Sequence, residues 1–394
     1  MNILYTITSY PPSIGGAQLY LHELVKKVAG IHTSEVCCFF DDNRTDWLLG
    51  TTLGAPENEK IYDYEGVRVK RLSFTLEEKA KFFPWVMSYY LNKPRSIAKI
   101  SEFIERKLDY GQHLDLIHNV RVGREPLSYA SYNLARKLKV PFVFTPLHHP
   151  RWGSWFYREY QELYRKSDAL IALTPYEKDI YIKLGVNPNK VFVTGTGPVI
   201  AENPDPHNFR QKYNLHGKIV LFIGQGYAYK GIKELSLAAK SIIKSREDID
   251  FVFIGPHTEY SKRLFAKISD HRIQHLGKVD LQTKTDALAA CDIFCLPSRQ
   301  ESFGAVFLEA WHFEKPVIGI DMPQLRCLLE NDVNGFLVKP NPKDIAYGIK
   351  KMLDDINLRK RLGIEGNKLS KIYSWDSLAD KTLKTYEYLL AKKH

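Results

Sequence analysis

Residues 293–310 read IFCLPSRQESFGAVFLEA, and this stretch decides the fold class. It opens with a short apolar run at 293–296, which is typical of a strand buried on both faces of a parallel sheet. A polar loop follows, and a helix is predicted over 303–313. The apolar residues of that helix recur at the spacing of one helical face: Phe303, Val306, Phe307, Ala310 and Phe313. The stretch therefore predicts one strand–loop–helix unit of an α/β protein.

The same unit recurs along the whole chain, in two series. A first series of predicted strands covers 2–8, 36–40, 67–73, 114–119, 141–145, 169–173 and 191–194. A second series covers 218–223, 250–254, 273–276, 293–296, 316–320 and 335–338. Amphipathic helical patterns such as 17–28 lie between the strands. Strands that alternate with helices, twice over, predict two doubly wound α/β domains.

A proline-rich segment, 198–210 (PVIAENPDPHNFR), is predicted to hold the boundary between these domains. Its prolines interrupt any regular element, and its asparagines and aspartate favour turns. We expect one Rossmann-like domain over 1–200 and a second over 205–372. A last helix, over roughly 375–391, follows a short break, so that its membership of the second domain stays open.

Composition narrows the class of protein. The chain has 394 residues, of which 44% are hydrophobic, and this excludes global disorder. Lys and Arg number 56 against 45 Asp and Glu, and the net charge of +11 favours nucleic acid, anionic lipid or phosphorylated metabolites as partners. Five cysteines without C-x-x-C or zinc spacing favour a reduced, cytoplasmic protein. We expect no signal peptide, because the start lacks a basic region followed by a long apolar region. We expect no membrane span, because no run approaches ~18 apolar residues.

One segment, 79–107, stands apart because it contains seven Lys or Arg residues and only two Glu. Its first half is also rich in aromatic residues: Phe82, Phe83, Trp85, Tyr89 and Tyr90. Basic residues beside exposed aromatic rings suit a membrane interface or a lipid-linked substrate. The alternative is an ordinary helix pair whose aromatic face packs in the core, and the sequence leaves both interpretations open.

A glycine-containing turn follows the first strand of each series. Gly15, Gly16 and Ala17 stand before helix 17–28, where the backbone can approach a ligand and helix N–H groups can hold an anion. The second turn, 224–231 (GQGYAYKG), contains Lys230, whose ammonium group can reach a diphosphate. Neither turn matches a dinucleotide fingerprint or a Walker A loop. The alternatives are a tight turn without a ligand and a solvated lysine.

Two glutamates frame the start of the 303–313 helix. Glu301 stands just before it and Glu309 about two turns inside it, so that both return to nearly the same side. Glu301 is expected at the carboxyl edge of the sheet, where doubly wound folds bind ligands. Backbone N–H groups could hold a phosphate there, namely those of Ser302, Phe303, Gly304 and Ala305. Glu309 lies among apolar residues, and a buried acid needs a partner such as a sugar hydroxyl. The alternatives are a helix cap and a surface acid.

Two histidines, His148 and His149, follow strand 141–145, where side chains can face a cleft. A surface histidine pair is the alternative. No third ligand at metal spacing accompanies them, so that no zinc site is expected. Asp248 and Asp250 match the D-x-D pattern of metal-dependent sugar transferases, but they lie at the amino end of a predicted strand, and we interpret them as structural.

Together these motifs resemble glycosyltransferase family 4, a family of retaining GT-B enzymes that use activated sugars. The E-x7-E pattern, ESFGAVFLEA, is similar to the family signature, and so are the GGA turn, the turn that ends in Lys230-Gly231, and the final SWDSLADKTLKTYEYL. The likeness is strongest over 218–340 and weakest over 41–113. It implies two Rossmann-like domains that face a central cleft, with the first binding the acceptor and the C-terminal helix, 375–394, crossing back onto it.

The resemblance also implies a role for each motif. Lys230 contacts the donor diphosphate, and Gly226 lies in the same turn. Glu301 binds hydroxyls of the transferred sugar. Glu309 binds the ribose of the nucleotide. The backbone near Lys278 and Val279 holds the base, and Gly16 and the Ser302–Ala305 amides add to diphosphate binding.

Two positions of the motif leave questions open. Gln225 occupies a position that is usually Arg, and this removes a charge and a bidentate donor. The cleft histidine of the family maps to His149, with His148 as the competing assignment. No carboxylate is an obvious covalent nucleophile, so that the resemblance favours same-face attack assisted by the donor phosphate.

The sequence therefore predicts a retaining glycosyltransferase that moves a hexose, with glucose as the candidate, from a UDP-sugar to a polysaccharide or lipid-linked glycan. It needs no metal and no cofactor, since the nucleotide sugar is a substrate. It is expected in the cytoplasm, at the inner face of a membrane that 79–107 contacts. A UDP-sugar 2-epimerase of the same architecture is the alternative. A nucleic-acid-binding protein is disfavoured, because no helix-turn-helix, zinc or RNP-like motif is present.

Overall fold

The computed structural model describes residues 1–13, 15–39, 48–108, 111, 113–121, 123–148 and 154–392. The chain divides into two compact units. The first unit comprises Met1–Gly195 together with Trp375–His394, and the second comprises Thr196–Ser374. Each unit is built on one sheet whose strands alternate with helices along the chain, which is the predicted α/β arrangement.

The sheet of the first unit has eight strands in the order β3-β4-β2-β1-β5-β6-β7-β8. Its strands are β1 Asn2–Thr6, β2 Thr33–Cys38, β3 Lys60–Tyr64, β4 Val67–Arg71, β5 Leu116–Val120, β6 Phe142–Thr145, β7 Ala169–Ala172 and β8 Val191–Val193. Its first six helices are α1 Gly16–Ala29, α2 Leu76–Met87, α3 Lys93–Leu108, α4 Glu125–Leu138, α5 Arg158–Lys166 and α6 Pro175–Lys183. Every residue of β5, β6 and β7 is buried, as the continuous apolar runs in these strands predict.

The sheet of the second unit has six strands in the order β11-β10-β9-β12-β13-β14, and all of its pairs are parallel. Its strands are β9 Lys218–Ile223, β10 Ile249–Ile254, β11 Ile273–Gly277, β12 Ile293–Leu296, β13 Val317–Ile320 and β14 Gly335–Val338. Its helices are α7 Pro206–Lys212, α8 Ile232–Ile242, α9 Glu259–Phe265, α10 Leu281–Ala290, α11 Ala305–His312, α12 Pro323–Arg326, α13 Pro342–Asp354 and α14 Ile356–Ile372.

The last helix, α15 Trp375–Ala391, belongs to the first unit. Its Tyr386 hydroxyl forms a 2.6 Å hydrogen bond with Nδ1 of His118 on β5 and donates to the Tyr5 hydroxyl on β1 at 3.3 Å. Nε2 of His118 forms a second bond, of 2.7 Å, with the Thr145 hydroxyl. Burial lowers the pKa of His118 to about 3, so that the ring is neutral. These polar side chains fasten α15 to the centre of the first sheet.

One strand, β3, was not among the predicted strands. Its sequence, KIYDY, alternates exposed and half-exposed residues at the edge of the sheet, where no continuous apolar run is required. It pairs antiparallel with β4 through a two-residue turn, Glu65-Gly66, in which both φ angles are positive, at 50° and 80°. Positive φ at both positions is the geometry of a type I′ hairpin, which twists in the same sense as its strands.

Candidate functional site

The carboxyl edge of the second sheet carries most of the predicted donor-site residues. Because β9, β10, β11 and β12 are parallel, the loops that follow them leave the sheet at the same edge. The chain order places β10 and β11 on one side of β9 and β12 on the other, so that the strand order reverses between β9 and β12. Doubly wound folds bind ligands at such a switch point.

An ion pair joins the loops that follow β9 and β12. Nζ of Lys230 lies 2.6 Å from Oε1 of Glu301, and both side chains are largely buried, with exposed fractions of 17% and 12%. The Arg299 N–H donates to the Tyr229 carbonyl at 2.8 Å and ties the two loops together. Gly231 has φ of +74°, and a Cβ there would lie 2.1 Å from the Pro297 carbonyl oxygen, so that only glycine fits. The structure thus brings two of the three predicted catalytic residues together.

The turn that carries Lys230 is held by ring contacts within it and by hydrogen bonds to the loop that follows β10. The rings of Tyr227 and Tyr229 stack at 5.6 Å, and Nζ of Lys230 lies 5.5 Å from the centre of the Tyr229 ring. The N–H of Gly226 donates to the Pro256 carbonyl at 3.2 Å, and its own carbonyl accepts from the Thr258 hydroxyl at 2.6 Å. The Gly226 N–H is therefore committed to the protein. The two tyrosines were not among the predicted site residues.

Helix α11 begins at Ala305, two residues later than predicted. Gly304 has φ of +84°, a left-handed conformation that stops the helix from extending toward Glu301. Glu309 therefore lies about one turn inside the helix, and the prediction of two helical turns between the glutamates is wrong. The N-terminus of α11 has no side-chain cap. Within the described ranges, the N–H groups of Ser302, Phe303 and Gly304 meet no protein acceptor. They and the first-turn N–H of Ala305 are available to an anion.

Glu309 is held inside the second unit by a lysine that sequence reasoning missed. Nζ of Lys284, on α10, lies 2.8 Å from Oε1 of Glu309 and donates to the Val199 carbonyl at 2.6 Å. The Val199 N–H donates to the same carboxylate oxygen at 3.3 Å. The other oxygen, Oε2, is buried and has no hydrogen-bond partner among the described residues. An unsatisfied buried oxygen on a carboxylate can accept a ligand hydroxyl.

Lys278 and Val279 follow β11 at the same edge, and Lys278 is exposed. Beside them, the rings of His257 and His275 meet edge to face at 4.2 Å. Burial, with a smaller contribution from His257, lowers the pKa of His275 to about 4. This part of the edge is therefore lined by a neutral imidazole at neutral pH.

The remaining predicted residues lie in the first unit. Gly15 precedes α1 in an extended conformation, Gly16 is the exposed first residue of that helix, and Ala17 is half-buried. Gly15, at the N-cap position, has no side chain to cap the helix. His148 follows β6 and is buried, with its ring 6.2 Å from that of Tyr164 and 5.9 Å from that of Tyr181. His149 lies outside the described residues.

A buried carboxylate, Glu177, fixes the backbone at His148. Oε1 of Glu177 accepts from the His148 N–H and Oε2 from the Leu173 N–H, both at 2.6 Å, and the Tyr181 hydroxyl also donates to Oε1. Burial raises the pKa of Glu177. Leu147, just before the histidine, has φ of +49°, which is strained for a branched residue. The backbone at His148 is therefore held from α6.

Further features bear on metal and membrane chemistry. Asp250 accepts from the Gly217 N–H at 2.8 Å and Asp248 pairs with Arg246 at 3.0 Å, which are structural contacts. Across the residues that the structure describes, no group of three or more His, Cys, Asp or Glu is arranged to hold a metal ion. In the same part of the chain, no helix combines the length and apolarity needed to cross a membrane.

Several known proteins are similar to this chain. A glycosyltransferase of Methanocaldococcus jannaschii, MJ1178, is 26% identical over 390 residues, which is 96% of both chains. The phosphatidyl-myo-inositol mannosyltransferase of Mycobacterium tuberculosis is 29% identical over 182 residues, or 44% of this chain and 48% of that protein. Two solved structures share the fold: HepE of Anabaena, in complex with UDP and glucose, and the sucrose-phosphate synthase of Thermosynechococcus elongatus. Their TM-scores are 0.73 and 0.74, with identities of 20% and 18%, and each alignment covers at least 99% of both chains.

Two family models match the chain in succession. The model described as Glycosyltransferase Family 4 matches residues 14–197, and the model described as Glycosyl transferases group 1 matches residues 205–369. Together they leave only short stretches of the chain unmatched. The resemblance seen in the motifs is thereby confirmed, and so is the predicted fold class. The chain belongs to glycosyltransferase family 4 and is a retaining glycosyltransferase of the GT-B fold.

Proposed function

We propose that this enzyme transfers a hexosyl group, with glucose as the first candidate, from a UDP-sugar to a polysaccharide or lipid-linked glycan. The observation that carries the proposal is the Lys230–Glu301 ion pair at the switch point of the second sheet. It joins a cation suited to a diphosphate and a carboxylate suited to sugar hydroxyls at one place. The second unit is thus the proposed donor-binding unit, and the first unit the acceptor-binding one.

In the proposed reaction, the departing diphosphate gains negative charge as the anomeric bond breaks. The Lys230 ammonium and the N–H groups from Ser302 to Ala305 would stabilise that charge, because fixed donors act strongly where charge develops. The Gly16 end of α1 is proposed to add to this stabilisation. These cationic and N–H donors make a divalent metal unnecessary in the proposal.

The two glutamates would hold the two sugars of the donor. Glu301 would accept from hydroxyls of the transferred hexose, and the buried, unpartnered Oε2 of Glu309 would accept from the nucleotide ribose. The backbone of Lys278 and Val279 would receive the base. Gln225 would offer the phosphates a neutral amide in place of a guanidinium.

Retention is proposed to proceed by attack on the face that the diphosphate leaves. The acceptor oxygen forms the new bond to the anomeric carbon as the old carbon–oxygen bond breaks. The acceptor proton passes to the departing phosphate oxygen, and the diphosphate carries away the electron pair. His149, or His148 in the competing assignment, is proposed to contact the hexose in the site.

The identity of donor and acceptor is supported by similar proteins. HepE of Anabaena has been crystallised with UDP and glucose and with UDP-glucose. The mycobacterial relative is named for mannosyl transfer to phosphatidyl-myo-inositol. We therefore propose a UDP-sugar donor and a reaction in the cytoplasm, at the inner face of a membrane that presents the acceptor.

The site assignment is tested by Lys230→Ala and Glu301→Gln, with Lys233→Ala as control because Lys233 is an exposed lysine three residues further on. We expect the first two variants to lose at least about a hundredfold in kcat/KM, as removal of one oxyanion donor does in other enzymes. The control is expected to match the wild type. Near-normal turnover in Lys230→Ala and Glu301→Gln, with unchanged circular dichroism, would contradict the assignment.

The donor is tested by thermal shift with UDP-, GDP- and ADP-sugars, since a bound ligand raises the melting temperature by mass action. We expect UDP-glucose to give the largest shift. Products formed from the donor alone are then analysed. An epimerised nucleotide sugar would identify a 2-epimerase and overturn the transferase proposal. Activity in EDTA is expected to equal activity without it.

A further inference from the structure

Helix α2 and the turn after it present an exposed apolar stripe, defined by Leu76, Ala80, Phe83, Pro84, Met87, Tyr90 and Leu91. The first five recur at the spacing of one helical face. Leu76 is 69% exposed, Met87 60% and Leu91 90%. Single exposed apolar residues are ordinary, but a contiguous set along one helix and its turn marks an interaction surface.

The stripe is distinct from the face of α2 that packs in the core. Phe82 and Val86 are buried in the core of the first unit, and so is Tyr89. Phe83 and Tyr90, each next to one of these buried aromatic residues, face outward. The aromatic residues of the basic segment therefore divide into a core set and an exposed set. The core set fits the interpretation as a helix pair with a buried aromatic face, and the exposed set is the one available to a membrane interface.

A second segment extends the stripe. Phe156 is 66% exposed, and its carbonyl accepts a hydrogen bond from the Lys93 ammonium, just after the turn that carries Tyr90 and Leu91. Lys93 is itself held by Glu125 and Glu159, at 2.8 Å each. The ammonium of Lys93 thus anchors the backbone of Phe156 beside the stripe.

Cationic side chains lie against aromatic rings of α2, of the turn after it and of α3. The Arg95 guanidinium lies 5.3 Å from the Trp85 ring centre and that of Arg106 lies 5.8 Å from the Phe103 ring centre. In the described chain, neither of these two arginines has a carboxylate partner. The Arg124 guanidinium donates to the Tyr90 hydroxyl at 3.0 Å. The two glutamates in the first turn of α2 are paired, Glu77 with Lys81 at 2.5 Å and Glu78 with Lys107 at 2.7 Å.

We propose that this stripe, with Phe156 and the flanking arginines, docks onto an anionic lipid bilayer. An apolar helix face bordered by Trp, Tyr and Arg matches the boundary between headgroups and acyl chains, where such helices lie in the plane of the membrane. A second copy of this chain fits the surface less well, because it would bring the same arginines together. Anionic headgroups instead neutralise them. The inference rests on the proposed reaction at a membrane and deepens it, because it names the surface that binds the bilayer and uses no residue of the donor site.

The test is co-sedimentation of the full-length protein with vesicles of phosphatidylcholine alone or mixed with phosphatidylglycerol. We expect the wild type to bind the mixed vesicles. The variant Phe83→Ser/Met87→Ser should bind them at least about tenfold more weakly, because much exposed apolar area is removed. Arg95→Gln should weaken binding to the mixed vesicles about fivefold and change binding to phosphatidylcholine little. The matched control is Tyr347→Ser/Ile356→Ser, which removes two isolated exposed apolar residues, 68% and 54% exposed, from the second unit.

The control variant should bind like the wild type. Equal binding by all variants, or no sedimentation of the wild type, would overturn the proposal. A change of oligomeric state in Phe83→Ser/Met87→Ser, without a change in vesicle binding, would assign the stripe to a second copy of the chain and also overturn it. Lys230→Ala is expected to bind vesicles normally, so that failure of the donor assignment is distinguished from failure of this one.

Discussion

At the residue scale, the carboxylate of Glu309 and the ammonium of Lys284 neutralise each other inside the second unit, at 2.8 Å. Removal of one partner from a buried pair is costly, because the other charge stays buried without compensation. The pair also leaves one carboxylate oxygen, Oε2, unengaged. In the proposed site, Lys284 would therefore act on the ligand through Glu309, by holding its carboxylate in place.

We predict that Lys284→Met lowers the free energy of unfolding by about 3 kcal/mol, because Glu309 loses its counter-charge. The double variant Lys284→Met/Glu309→Gln should lose less free energy of unfolding than the two single variants lose in sum, since no uncompensated charge remains. Urea denaturation of the two single variants and the double variant measures this coupling. Strictly additive losses would mean that the pair contributes no specific interaction.

A second prediction concerns Gln225, which follows β9 at the position where the family resemblance implies Arg. Gln225→Arg adds a charged bidentate donor, and we expect it to strengthen binding of UDP about tenfold or more. Calorimetric titration with UDP measures the gain. Uridine, which lacks the phosphates, serves as the internal control and should bind the variant and the wild type equally. An equal gain for uridine would place the new side chain elsewhere.

These residues also show how far the sequence predicts the site. Lys230 and Glu301 were identified because each stands in a local motif, and they meet in the structure at 2.6 Å. Lys284 has no such motif. It stands 25 residues before Glu309 on a different helix, and only the packing of α10 brings it near. Glu177 is likewise separated by 29 residues from His148, whose backbone it holds. Contacts set by tertiary packing leave no local spacing to detect.

At the element scale, α15 depends on one buried hydroxyl, that of Tyr386, for its hydrogen bonds to His118 and Tyr5. We predict that Tyr386→Phe lowers the free energy of unfolding by about 1–3 kcal/mol, because Nδ1 of His118 is left buried without its partner. Tyr388→Phe, two residues later on the same helix, is the matched control, because Tyr388 is 40% exposed. It should stay within about 0.5 kcal/mol of the wild type. Equal losses in thermal or urea unfolding would contradict this account.

Strands and helices differ in how well the sequence predicts them. Strands such as β9 (KIVLFI) are buried along almost their whole length, and their apolar runs identify them. The edge strand β3 (KIYDY) needs only pairing with β4, so that its composition carries little signal. The start of α11 depends on one backbone angle at Gly304, and a periodic apolar pattern cannot report that angle.

At the scale of the whole molecule, two imidazoles with lowered pKa values, the buried His118 and the half-buried His275, make stability depend on pH. Burial lowers the pKa of His118 to about 3 and that of His275 to about 4, against about 6.5 in an unfolded chain. Below pH 6.5 the unfolded chain therefore binds protons that the folded chain does not. The contribution of these two groups to stability is present above about pH 6.5 and is lost as pH falls toward about 3.

We predict that the urea midpoint of the wild type falls more steeply between pH 7 and 4.5 than that of His118→Gln. Groups common to both proteins cancel in this difference, among them Glu177, whose raised pKa acts in the opposite direction. His118→Gln is expected to be less stable at pH 7, because it loses the fit to Tyr386. Parallel pH profiles would show that His118 binds protons equally in both states.

The order of the units along the chain has a consequence for synthesis. The second unit is continuous, Thr196–Ser374, whereas the first unit is interrupted by it and is completed only by α15. During translation, all of the second unit leaves the ribosome before Tyr386 does. His118 and Tyr5 are synthesised 268 and 381 residues before Tyr386, so that they lack this hydrogen-bond partner while the second unit is made. The later-encoded second unit can therefore complete its own fold before the first unit does.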